Sequence, residues 1–295
     1  MWLFPPRSLP KDVKSMLVIR RNRLGDAVIT GLVLKNIQRT NPELKITIIA
    51  NRKPIFAYLL PNSMIYDEPR GNPIIIYFSE TMRKLRKETF DIAINGSGSY
   101  STKTVYLLNC LQAKYTISCG HFTQFKIADL FVDDCSPLIV FTHQMHKIMS
   151  VFQRTGLKFI EPAMGIPTTV NKRKILLCPE SNRSNVNVMP IEKWLDLYEQ
   201  LNVANYIVNF CVMNIDLPNA IRPKNTEELL VLIQNYDHII SHDGGVSHIA
   251  AMFNKHCTQL CSIPGLKNLW MPWTYNCQFI ECNDLTKLNI KDIII

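Results

Sequence analysis

Three segments carry residue types at spacings that can do chemistry. The first is Arg20-Arg21-Asn22-Arg23-Leu24-Gly25-Asp26, directly after an apolar run. Gly25 permits a tight turn and close approach of a ligand. Asp26 is read either as a helix N-cap or as a general base at the mouth of a strand-end cleft. The arginines suit a phosphate or carboxylate, which guanidinium binds in bidentate fashion. The second is Ser241-His242-Asp243-Gly244-Gly245-Val246-Ser247-His248. Two glycines between a strand and a helix offer free backbone N–H groups and a positive dipole end to a phosphate. Asp243 can accept hydrogen bonds from sugar or ribose hydroxyls, or simply cap the helix. The third is Cys178-Pro179-Glu180-Ser181-Asn182-Arg183-Ser184-Asn185. Its hydroxyl, amide and guanidinium groups, those of Ser181, Asn182 and Arg183, either hold a diphosphate or form an ordinary polar loop.

Two other chemistries find less support. Ser, His and Asp cluster near residue 243, but no Gly-x-Ser-x-Gly elbow accompanies them, which argues against a hydrolase triad. Asn95-Gly96-Ser97-Gly98-Ser99-Tyr100 lacks the third glycine of a dinucleotide fingerprint and follows a late strand, so no nicotinamide cofactor is expected.

These segments need strands that deliver them and helices that follow. Short apolar runs alternate with helical stretches along the chain, the pattern of βαβ units and parallel sheets. Residues 16–20, 45–50, 74–78, 91–95 and 115–119 read as strands. Residues 27–39, 82–87 and 147–155 read as helices. The breaker-rich stretch 161–167 reads as a linker. The alternation then restarts, with strands at 175–178, 206–212, 238–241 and 257–263. Helices are expected at 190–201, 226–234 and 246–253, Thr226 capping the second of them. The expected fold is α/β, with two Rossmann-like doubly wound domains facing a cleft, residues 1–160 and 168–295. Ligands of such folds bind outside the carboxyl ends of the strands.

The chain of 295 residues is 47% hydrophobic and 19% charged, ordinary for a globular protein. No apolar run reaches the ~18 residues of a membrane span, and the start lacks the features of a signal peptide, so a cytoplasmic location is expected. Nine cysteines without regular spacing read as reduced thiols. Cys257, Cys261, Cys277 and Cys282 depart from metal-ligand spacing, so no metal is expected. The net charge of +9 is unevenly spread. Residues 1–160 hold 22 Lys+Arg against 11 Asp+Glu, and residues 161–295 hold 11 against 13. A basic half beside a near-neutral half points to an anionic partner for the first half. Trp2, Leu3, Phe4 and Arg7 form an apolar and basic start that suits an anionic membrane surface, or else a solvated tail.

Taken together, the motifs resemble glycosyltransferase family 9, the ADP-heptose:lipopolysaccharide heptosyltransferases. The matching stretches are Val18-Ile19-Arg20 through Leu24-Gly25-Asp26-Ala27-Val28-Ile29-Thr30, then Phe90-Asp91-Ile92-Ala93-Ile94-Asn95-Gly96. Asp243-Gly244-Gly245-Val246-Ser247-His248-Ile249-Ala250-Ala251 follows, with Pro264-Gly265 and Trp270-x-Pro272-Trp273 after it. The resemblance implies a GT-B fold and metal-independent, inverting sugar transfer from a nucleotide sugar, without a cofactor. It implies Asp26 as general base, Arg20, Arg23 and Gly25 toward the acceptor, and Ser181, Asn182, Arg183, Asn187, Asp243, Gly244, Gly245, Val246 and His248 toward the donor. The implied partners are ADP-heptose and the lipopolysaccharide core, with peripheral contact at the cytoplasmic face of the inner membrane. The family's Lys-x-Trp-Pro is replaced here by Asn187-Val188-Met189-Pro190, and Arg183 is the nearby cation.

Other readings remain open from sequence. One is a family member using a UDP-hexose or UDP-N-acetylhexosamine. Another is a sugar-nucleotide epimerase or hydrolase on the same scaffold, which leaves the basic half unexplained. A third is a non-enzymatic RNA or anionic-ligand binder. Against it, the basic residues are not interleaved with the aromatics of a stacking platform, so no nucleic acid is expected.

Overall fold

The computed structural model describes residues 7–20, 23–97, 101–119, 132–135, 142–165, 173–181 and 187–293. The chain divides into two compact units, Met1–Pro162 and Ala163–Ile295. The division falls inside the breaker-rich stretch.

The first unit holds a five-stranded sheet. Its strands are β1 (Ser15–Arg20), β2 (Lys45–Ala50), β3 (Met64–Asp67), β4 (Thr89–Asn95) and β5 (Gln112–Ile117). They are ordered β3-β2-β1-β4-β5, and every pairing is parallel. A parallel sheet is covered on both faces, which is why β1 reads as an unbroken apolar run. Met16, Leu17, Val18 and Ile19 are all fully buried. The helices are α1 (Leu24–Thr40), α2 (Lys53–Leu59), α3 (Pro73–Phe78), α4 (Glu80–Leu85), α5 (Thr102–Asn109) and α6 (Gln144–Gln153). Asp91 secures the start of β1 by accepting from the Lys14 and Ser15 N–H groups, both at 2.9 Å. Burial pulls its pKa upward, but these bonds and one from Lys114 outweigh it and bring it down to about 2.

The second unit holds β6 (Lys174–Cys178), β7 (Ile207–Cys211), β8 (Ala220–Ile221), β9 (His238–His242), β10 (His256–Cys261) and β11 (Cys277–Glu281). Their order is β11-β10-β9-β6-β7-β8, again parallel throughout. Renumbered within the unit this is 3-2-1-4-5-6, the dinucleotide-fold order. Its helices are α7 (Ile191–Val203), α8 (Thr226–Gln234), α9 (Gly245–Met252) and α10 (Lys267–Trp270). Trp194 of α7 is fully buried among Ile175, Leu177, Phe210 and Ile240, anchoring the helix to the sheet.

Two sequence expectations are corrected. Residues 74–78 form helix α3, not a strand. Pro73 occupies the first turn and the Asn72 side chain accepts from the Ile75 N–H at 3.0 Å. A proline start and an Asn cap outweigh the strand preference of three isoleucines. The strand taken to lie there is the short edge strand β3. Helix α8 is capped by Asn225, whose side chain accepts from the Glu228 N–H at 2.9 Å, rather than by Thr226. Arg7 pairs its guanidinium with Asp133 at 2.8 Å, and its side chain stays half-exposed. Trp2, Leu3 and Phe4 lie outside the described residues.

Candidate active site

In each sheet the strand order reverses between the first and fourth strands of the unit. Crossovers leave in opposite directions there, so the loops part at the carboxyl ends and open a crevice. In the first unit the reversal lies between β1 and β4, in the second between β6 and β9. All three chemistry-bearing segments begin at these strand ends.

At the end of β1 the chain enters α1 through Arg23, which is exposed and serves as the N-cap residue. Among the described residues no side chain caps this helix start. Asp26 is therefore the third helical residue, not the cap. It is 7% exposed, and its Oδ1 lies 3.0 Å from Arg20 Nη2. Arg20 is 1% exposed and also donates to the Asp26 carbonyl at 3.3 Å. Burial lowers the Arg20 pKa, and the Asp26 charge opposes that. The sequence reading sent Arg20 toward an external anion. The structure turns it inward, where its guanidinium meets a carboxylate of its own chain. Arg23 is exposed, and Arg21 lies outside the described residues. Gly25 is buried beneath the first turn.

The end of β4 packs closely against β1. A Cβ on Gly96 would lie 2.7 Å from Val18 Cγ1, so only glycine lets the strands keep this spacing. Asn95 and Ser97 are buried beside it. The Ser97 N–H donates to Asn95 Oδ1 at 3.1 Å, and Asn95 Nδ2 donates to Ser118 at 3.3 Å.

In the second unit α9 starts at the end of β9. Gly244 is its N-cap residue, and among the described residues no side chain caps it. Gly244, Gly245 and Val246 are half-buried, whereas Asp243 and His248 are buried. Asp243 is held in a chain of hydrogen bonds that sequence reading missed. Gln259 Nε2 donates to Asp243 Oδ1 at 2.7 Å, and Ser247 Oγ donates to Gln259 Oε1 at 2.7 Å. Gln259 is fully buried in β10. A glutamine inside a parallel strand was the available signal, since a buried amide needs partners. The chain fixes Asp243 against the first turn of the helix.

At the end of β6, Glu180 accepts from the Met213 and Asn214 N–H groups, the latter at 2.9 Å, and ties the loop to the end of β7. Ser181 is half-buried. Asn182 and Arg183 lie outside the described residues. Asn187 is exposed and donates to Asp284 Oδ1 at 2.8 Å. Among the described residues no group of three or more His, Cys, Asp or Glu is placed to hold a metal ion.

His242, the last residue of β9, shapes the site from below. Its Nε2 accepts from the Met189 N–H at 2.9 Å, and its ring meets Trp194 edge-on at 5.3 Å. Burial pushes its pKa from 6.5 down to about 4, against a Pro179 carbonyl that pulls it up. The unfolded chain thus binds this proton near 6.5 and the folded chain only near 4. Between those values the unfolded state holds more protons, so stability falls as pH drops through the window, by on the order of 3 kcal/mol in total. Urea unfolding of wild type and His242→Gln at pH 7 and pH 4.5 checks this. The variant is expected to lose less stability on acidification. Equal losses would remove His242 as the source.

No family model and no curated protein matches the chain. Solved structures do. A glycosyltransferase of family 9 from Veillonella parvula superposes with a TM-score of 0.79 at 16% identity, over 98% of this chain and 96% of that one. The Escherichia coli heptosyltransferase WaaC with ADP gives 0.73 at 14% identity, over 95% and 97%. The Escherichia coli ADP-heptose lipopolysaccharide heptosyltransferase II gives 0.74 at 13% identity, over 95% and 96%. The chain has the heptosyltransferase fold. That is a GT-B fold of two Rossmann-like units, as the motifs implied. The likeness runs through nearly the whole length of both partners, so neither unit of this heptosyltransferase-like chain lacks its counterpart.

Proposed function

We propose that the chain is an inverting glycosyltransferase, moving a heptose from ADP-heptose onto a lipopolysaccharide core at the cytoplasmic face of the inner membrane. The observation that carries this reading is the start of α9. It is an uncapped helix N-terminus at a sheet reversal point, formed by two half-buried glycines beside a fixed carboxylate. Such a terminus favours a phosphate. Among the described residues nothing requires Gly244 to be bare, because a Cβ there would meet no atom nearer than the His242 carbonyl at 3.9 Å. A ligand lying on the backbone supplies the reason.

On this reading the diphosphate sits over Gly244, Gly245 and Val246, and Asp243 takes sugar or ribose hydroxyls. His248 braces the helix beneath. Ser181, Asn182 and Asn187 line the donor loop, and Arg183 supplies the cation. Asp26 takes the proton of the attacking acceptor hydroxyl, held in place by Arg20, while Arg23 and the turn at Gly25 meet the anionic acceptor. Negative charge grows on the leaving diphosphate in the transition state, where fixed N–H donors stabilise it.

Titration calorimetry with ADP-heptose and, separately, UDP-sugars tests the donor. Wild type is expected to bind ADP-heptose in preference. Gly244→Ala is expected to fold normally and to weaken donor affinity roughly tenfold or more, since the new methyl group occupies the phosphate's approach. Undiminished affinity in Gly244→Ala would place the donor elsewhere, and preference for a UDP-sugar would change the substrate.

A further inference from the structure

Exposed large apolar side chains are mostly scattered singly over the described residues, and scattered ones carry no message. Helix α3 differs. Ile74, Ile75 and Phe78 are 69%, 56% and 66% exposed. At about 100° per residue they share one side of the helix, opposite the buried Ile76. This helix is firmly built. Asn72 caps its start, and the Tyr106 hydroxyl donates to the Pro73 carbonyl at 3.1 Å. Arg86 donates to the Tyr77 carbonyl at 2.7 Å, with its guanidinium 3.9 Å above the Tyr77 ring. The fold thus holds three apolar groups toward solvent on a helix fixed by its cap, by Ile76 and by the bonds from Tyr106 and Arg86.

Basic residues follow directly in the chain. Ser79 ends α3 and caps α4, so the second helix follows without a spacer. Lys84 pairs with Glu80 at 2.7 Å, while Arg83 and Lys87 are exposed. Apolar groups with cations at their edge match an anionic bilayer: the apolar groups enter the boundary between headgroups and acyl chains, and the cations meet the phosphates. A second copy of the chain fits less well. In a two-fold dimer the patch would meet itself and bring Arg83 and Lys87 against their equivalents. Single-stranded RNA stacks on aromatic faces, which Ile74 and Ile75 do not offer.

We propose that α3 and the start of α4 form a docking surface for an anionic lipid bilayer, with Ile74, Ile75 and Phe78 inserted and Arg83 and Lys87 at the headgroups. This rests on the membrane-face location of the proposed function, names the surface that makes the contact, and uses neither of the substrate sites. The test is co-sedimentation of the full chain with vesicles of phosphatidylglycerol and phosphatidylcholine, compared with phosphatidylcholine alone. No glycolipid is present, so the result stands apart from the donor titration. Wild type is expected to bind the anionic vesicles and to bind neutral ones far more weakly. Phe78→Ser and, independently, Ile74→Ser are expected to weaken anionic binding about tenfold. Arg83→Glu with Lys87→Glu is expected to weaken it by about tenfold or more and to remove the preference for anionic lipid. Circular dichroism checks that each variant is folded. The proposal is overturned if wild type stays in the supernatant or if folded variants bind undiminished. It is equally overturned if Phe78→Ser converts an oligomer into monomers by analytical ultracentrifugation.

Discussion

Asp26→Asn is expected to lower turnover about 10²–10⁴-fold, the range of a lost general base, while leaving donor affinity within about twofold. The side chain keeps its shape and its place in the first turn of α1 but can no longer take a proton. The acceptor hydroxyl must then lose its proton to water as the bond forms. The substitution also removes the charge that faces Arg20 at 3.0 Å, so the folded fraction is measured alongside kcat. Donor binding belongs to the second unit in our proposal, and calorimetry with ADP-heptose reports it separately. A folded, donor-binding Asp26→Asn protein with near-normal kcat would leave Asp26 as a structural partner of Arg20 and would move the base elsewhere. A parallel loss of donor affinity would mean that the first unit also holds the nucleotide sugar.

Much of this architecture is legible in the sequence because buried parallel strands are almost uniformly apolar. The runs 16–20, 45–50, 175–178 and 238–241 all proved to be strands, and the turns after 16–20, 175–178 and 238–241 carry the chemistry-bearing residues. What the sequence hides is whatever depends on partners far along the chain. Residues 74–78 look like a strand by composition, yet Asn72 and Pro73 start a helix and the edge strand is the unassuming β3. Arg20 looks like a surface cation. Its burial follows from lying in a sheet covered on both faces, with Asp26 one helical turn into α1 to receive it. Gln259 is visible as an amide in a strand, but its partners, Asp243 and Ser247, become evident only when β10 is set beside β9.

Arg20→Met alone is expected to destabilise the chain by about 3–5 kcal/mol, because it leaves the Asp26 carboxylate in a nearly water-free site without its counter-charge. Asp26→Leu alone is expected to cost a similar amount, by removing the carboxylate that faces the buried guanidinium at 3.0 Å. The double variant Arg20→Met with Asp26→Leu is expected to regain most of that loss, since two well-packed apolar groups avoid the cost of desolvating two ions. Urea denaturation of all four proteins closes the cycle, and the expected coupling is several kcal/mol. Losses that simply add would show that the two side chains do not act together and would remove Arg20 as the group that positions Asp26. A strong coupling with an inactive but stable double variant has a sharper meaning. In that outcome a charged pair that the fold can do without, placed at a sheet reversal, would be kept for the proton it handles rather than for the stability it lends.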